Sequence, residues 1–171
     1  MDKKTILLAI VSFALGALLM SFLSEKSFVL DQKNCTYNIE GKQVTLVNGK
    51  AELEIVPGSA SKDVFQYFGN EARGDFNNDG FEDVAFLLTE NSGGSGTFYY
   101  VAAALGNKDK CIGTNGVLLG DRIAPQTTQF NGDIIVNYAT RAENQPMTAQ
   151  PSIGVSKYLK VSDGKLIEVN K

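Results

Sequence analysis

Histidine and tryptophan are absent from this 171-residue chain, cysteine occurs only twice and proline four times. Without histidine the commonest general base is missing, and Ser-His-Asp chemistry is excluded. Zinc loses its usual nitrogen ligand, and Cys35 and Cys111 lie too far apart in sequence to form a zinc motif. An excess of positive charge is also missing. Sixteen Lys and Arg face 19 Asp and Glu, so the net charge of −3 gives no footprint for nucleic acid. What remains is 43% hydrophobic with 17 glycines, the composition of a folded, turn-rich domain.

The first notable presence is an apolar run. Residues 1–4 form a short stub with Lys3 and Lys4, and residues 5–23 continue without a charge. About 20 apolar residues suffice for a helix to cross a bilayer, more than the 7–15 of a typical signal-peptide core. The two lysines put the stub in the cytoplasm and the rest of the chain outside. Ser21-Phe22-Leu23 is a poor cleavage site, and Ala14-Leu15-Gly16 would leave a short apolar core. An uncleaved signal anchor is therefore expected, with a cleaved peptide as the alternative. No cysteine at its end offers a lipidation site. Residues 24–34 read as a linker and 35–171 as an extracytoplasmic β-rich domain. Cys35 and Cys111 then suit a disulfide, worth roughly 4–5 kcal/mol for so long a loop, with two unpaired thiols as the alternative.

Along the domain, Asn48-Gly49, Asn131-Gly132 and Asp163-Gly164 each separate apolar-rich runs and predict hairpins. Val84–Thr89 and Thr97–Leu105 are nearly apolar on both faces, so they are expected as paired central strands. Ser59–Gly69 reads as one short helix, with a serine cap, Val64, Phe65 and Phe68 on one side, and Gly69 as its stop. The expected fold is mostly β, an antiparallel sandwich or open barrel with that one short helix, preceded by the transmembrane helix.

One stretch carries chemistry. Gly74-Asp75-Phe76-Asn77-Asn78-Asp79-Gly80-Phe81-Glu82-Asp83 reads D-x-N-x-D-G-x-x-D and opens straight into Val84-Ala85-Phe86. Alternating side-chain oxygens followed by glycine suit a hard cation such as calcium. The last position of an EF-hand loop, a bidentate acid, is Phe86 here, so helix-flanked calcium loops are excluded. Asx turns would also use these residues, but carboxylates crowded into one loop repel unless a cation neutralises them.

The segment from Gly74 to Ala85 resembles the calcium loop of FG-GAP/VCBS-type repeats of integrin-like propellers. The resemblance implies Ca2+ ligation by Asp75, Asn77, Asp79, the Phe81 carbonyl and Asp83. A single copy cannot build a propeller, so that fold is not implied. A longer resemblance runs through Tyr67-Phe68-Gly69-Asn70-Glu71, the loop, Ser92–Tyr100 and Leu118–Gln126. These segments resemble a group of uncharacterised bacterial membrane-anchored or secreted proteins, some bearing an added lysozyme-inhibitor-like domain. That resemblance implies an extracytoplasmic location, at the cell surface or in the periplasm, and no particular activity.

Candidate catalytic residues are few. Asp121 with Glu143 or Asp133 would be needed for carboxylate-pair hydrolysis, and nothing in their spacing joins them. Asn91–Gly96 lacks the Lys-Ser/Thr of a phosphate loop and reads as a flexible connection. Asp121, Arg122 and Arg141 read as salt-bridging residues or a polar binding patch. Tyr99, Tyr100, Tyr138 and Tyr158 read as half-buried sheet residues. The expectation is a non-enzymatic, membrane-anchored domain with a structural calcium site, for interaction with an envelope protein or glycan. The alternative is an inhibitor or ligand-binding domain aimed at an envelope enzyme such as a lysozyme. A carboxylate-dependent hydrolase ranks third.

Overall fold

The structure, a computed structural model, describes residues 28–171. The expected stub, anchor and first part of the linker lie outside the described residues. Among those described, every regular element is a strand, and no helix is long and apolar enough to cross a membrane. The strands are β1 (Thr36–Ile39), β2 (Lys42–Thr45), β3 (Lys50–Glu54), β4 (Lys62–Gly74), β5 (Asp83–Asn91) and β6 (Phe98–Gly106). They continue as β7 (Cys111–Gly113), β8 (Val117–Asp121), β9 (Ala124–Phe130), β10 (Ile134–Thr140), β11 (Ile153–Ser162) and β12 (Lys165–Glu168).

A six-stranded antiparallel sheet runs β3-β4-β5-β6, with β7 and β8 paired to opposite ends of the free edge of β6. Its two central strands alternate between two cores. Ala85, Leu87, Val101, Ala103 and Leu105 enter one core with Ile134, Val136, Leu159 and Leu166. Those last four belong to a four-stranded sheet in the order β12-β11-β10-β9. Phe86, Leu88, Tyr100, Ala102 and Ala104 enter the other core, beneath Tyr37, Ile39, Val44 and Leu46 of the β1–β2 hairpin region. This burial on both faces is why β5 and β6 read as unbroken apolar runs. The architecture is a β sandwich with a hairpin on its back, and the central pairing of β5 with β6 is as the sequence predicts.

Two local expectations are overturned. The predicted helix over Ser59–Gly69 is absent: residues 59–61 are part of the β3–β4 connection and residues 62–69 are the first half of β4. Asp63 and Phe65 are buried at alternate positions while Lys62 and Gln66 are exposed, which is strand periodicity. Gly69 and Asn70, at φ 102° and 54°, do not cap a helix but form an irregularity where the register against β5 shifts. At Asn48-Gly49 the positive-φ turn is present, yet its arms part after a single bridge between Val47 and Lys50. Strand β2 pairs with β1, and β3 pairs with β4. The hairpins at Asn131-Gly132 and Asp163-Gly164 form as expected.

Cys35 and Cys111 are disulfide-bonded, with Cα atoms 5.9 Å apart. The bond ties the start of the hairpin region to β7. Gly113 makes close docking of β1 possible there, because a Cβ would stand 2.1 Å from the Thr36 carbonyl oxygen.

Candidate metal centre

The Asp/Asn-rich loop joins β4 to β5, and its ends, Gly74 and Asp83, face each other in the ladder. Two features seat it. Phe76 is buried in the core under the four-stranded sheet, its ring 4.8 Å from that of Phe130. A side chain at Gly74 would meet the Phe130 ring at 2.5 Å, so glycine lets β4 approach β9. Asp83 is fully buried, and its two oxygens accept hydrogen bonds from the backbone N–H of Phe76 and of Gly106, both at 2.8 Å. One carboxylate thus clasps the loop, β5 and the end of β6. Burial pushes the Asp83 pKa up, and Asp79 and Asp75 add to the shift, while the two backbone donors oppose it. Holding Asp83 ionised therefore costs stability.

The remaining loop oxygens form a chain of Asx turns. Asp75 accepts from the N–H of Asp79 at 3.1 Å and of Gly80 at 2.9 Å. Asn77 Oδ1 accepts from the N–H of Asp79 at 3.1 Å, and Asp79 accepts from that of Phe81 at 2.9 Å. The Asn77 amide donates to Asp79 at 2.9 Å. Asn78 and Gly80 take φ of 58° and 87°, which lets the backbone curl around these side chains.

In kind, the residues fit a hard cation: every offered donor is oxygen. In number, the fit is partial. Asp75, Asn77, Asp79 and the Phe81 carbonyl belong to the outer turn, whereas Asp83 is fully buried beneath it; each oxygen of Asp83, like each oxygen of Asp75, accepts one backbone N–H. Among the described residues, no three acidic or cysteine side chains are grouped so as to hold a metal. A cation taken by the turn would complete its shell with water, and would relieve the repulsion that Asp75 and Asp79 exert on Asp83.

The Asp121, Arg122 and Arg141 group lies away from the loop. Asp121 and Arg122 form an ion pair at 3.0 Å, and Asp121 also accepts from Thr97 N–H at 2.8 Å. Arg141 joins them through backbone, donating to the carbonyls of Arg122 at 2.8 Å and Ala149 at 2.5 Å. The three residues come together at the sandwich end opposite the loop, and their polar atoms staple the 141–152 connection in place. Asp133 is held elsewhere by Lys171 and Lys160. It lies beyond the far end of β9 from Asp121, about 20 Å away at strand rise, so these two form no catalytic pair. Tyr100 and Tyr138 are buried, while Tyr99 is half-buried and packs edge-on to Phe68.

One polar cluster has no local signal in the sequence. Lys42 Nζ bridges the carboxylates of Asp63 at 2.5 Å and Glu90 at 3.2 Å, and Tyr100 donates to Glu90 at 2.8 Å. Asp63 and Glu90 are buried while Lys42 keeps contact with water. The Asp63 hydrogen bond raises the Lys42 pKa, and Lys42, then Ser92, lowers that of Asp63. Only pairing of β4 with β5, and docking of β2 over them, brings these residues together.

Comparison with protein-family models, with curated proteins and with solved structures gives no significant match.

Proposed function

We propose that this chain is a non-enzymatic, membrane-anchored, extracytoplasmic β domain whose Asp75–Asp83 loop takes a structural calcium ion, and that it serves interaction at the cell envelope. The observation that carries the calcium reading is the clasp. Asp83 joins the loop to β5 and β6; its burial disfavours its charge, and Asp79 and Asp75 above it add to that. A divalent cation on the turn offsets that repulsion, and the clasp passes the gain to the sheet centre. The Cys35–Cys111 bond supports the location, since structural disulfides persist in oxidising compartments.

The test is a thermal melt of the oxidised full chain in detergent, with calcium and then with chelator. Calcium at a hundred times its dissociation constant is expected to add about 2.7 kcal/mol of stability. Asp79→Ala is expected to abolish that rise. Identical melts with and without calcium would sink the calcium reading and leave a disulfide-linked β domain.

A further inference from the structure

We propose that the end of the domain carrying the Asp75–Asp83 loop rests on the lipid surface from which the chain emerges, with Phe81 entering the headgroup layer. The inference rests on the anchor reading and adds an orientation and a contact face to it.

Beside the loop lies an open concavity of about 450 Å³, lined among others by Phe28, Val29, Leu30, Phe81, Arg73 and Lys108. Three of its apolar residues are unusually open to water: Val29 is 79% exposed, Phe81 42% and Phe28 40%. Apolar side chains from two separate segments therefore meet at one end of the sandwich. Lys108 forms no ion pair among the described residues, while Arg73 pairs with Glu82 at 2.8 Å and Glu71 at 3.1 Å.

The tether argues for lipid as the occupant. The apolar run ends at Leu23, five residues before Phe28. Five residues span about 18 Å at most, and the headgroup layer takes up about 5–7 Å of that. From Leu30, which packs against the core under the β1–β2 cover, the chain is fastened to the domain. The Gln32 side-chain amide donates to Glu71, Tyr37 donates to the Gln32 carbonyl at 2.7 Å, and Cys35 is bonded to Cys111. The segment cannot swing to another end of the sandwich without breaking these links. The opposite end, where the β3–β4 connection carries Val56, lies beyond the full length of β5, about 30 Å farther at strand rise. A lysine on an apolar rim can extend its ammonium to lipid phosphates. Asp75, Asp79, Glu82 and Asp109 stand on the same end, so the fit is to the apolar part of the interface and not to a strongly anionic surface.

Because the chain contains no tryptophan, single substitutions give clean reporters. Phe81→Trp changes only the side chain of a position whose proposed ligand is its carbonyl. Val56→Trp, at a site 60% exposed, serves as the far-end control. Both full-length variants are reconstituted, with millimolar calcium, into phosphatidylcholine vesicles containing brominated acyl chains, and flotation is recorded for each. The expected result is flotation of both, with at least twofold bromine quenching of the Phe81→Trp emission and none for Val56→Trp. Flotation without quenching at position 81 overturns this proposal and leaves the anchor reading standing. Failure to float overturns both. A blue shift at position 81 without bromine quenching means that protein, such as a second copy, covers the face, and also overturns the proposal.

Discussion

The two faces of the six-stranded sheet are covered by very different means. On one face lies a sheet of four strands, whose Ile134, Val136, Leu159 and Leu166 fill the core. On the other lie only two short strands and the segment leading into them, yet Tyr37, Ile39 and Val44 there are as fully buried as any residue in the molecule. A two-stranded hairpin is at best marginally stable by itself. The smaller cover carries the covalent link at Cys35, the Lys42 bridge to Asp63 and Glu90, and the Gln32 tie to Glu71. Among the described residues, the larger cover has neither a disulfide nor an ion pair to the central sheet. Where apolar area is scarce, this chain fastens a layer with bonds.

The largest test of that contrast removes the covalent fastening. Cys35→Ser with Cys111→Ser is expected to cost about 2–5 kcal/mol in urea unfolding. Hydrogen-exchange protection should fall first in β1 and β2, with β10 and β11 exchanging only on global unfolding. Uniform loss over both covers would erase the distinction.

A finer test uses neighbours that face opposite cores. Phe86→Ala is expected to cost about 3–5 kcal/mol and Leu87→Ala about 2–5 kcal/mol. Combined with the cysteine substitutions, Phe86→Ala should depart from additivity by more than about 0.5 kcal/mol and Leu87→Ala should not, because only Phe86 lies under the stapled cover. Equal coupling for both would mean that the two cores behave as one.

The smallest effect concerns the ionic fastening. Lys42→Met is expected to cost about 1–2 kcal/mol, less than breaking a wholly buried pair, since water reaches Lys42. Two shifts set its pH window. Asp63 is lowered from its ordinary 3.8, so its contribution is present above that value and is lost as pH falls through the lower folded value. Lys42 is raised from 10.5, so its contribution is present below that value and is lost as pH climbs through the higher folded one. Between these limits the stability difference from Lys42→Met should be flat with pH; a slope near neutrality would assign the strap to other groups.

Part of the fold is legible in the sequence because the β9–β10 and β11–β12 hairpins turn on Asn131-Gly132 and Asp163-Gly164, and because β5 and β6 carry doubly apolar runs. The loop residues are legible too, as a run of side-chain oxygens closed by Gly80. Strand β4 misleads because Val64, Phe65 and Phe68 satisfy helical spacing as well as strand spacing, and Gly69 serves either as a stop or as an irregularity. Neither the clasp from Asp83 to Gly106 nor the bridge from Lys42 could be read locally. Their partners lie 23, 21 and 48 residues away, and only strand pairing joins them. Gly106 does carry a trace of its role, since a Cβ there would stand 2.3 Å from the Glu82 carbonyl oxygen.

The disulfide also sets how the molecule bears tension. A chain held at its N-terminus and pulled through its C-terminal half carries the load from Cys35 directly to Cys111. The intervening segment, a sequence separation of 76, sits in a closed ring outside the line of force. About 260 Å of potential extension is thereby withheld. Strands β1 to β6 and the acidic loop cannot be drawn out end to end while that bond is intact, and an abrupt pull would unravel only the strands beyond Cys111.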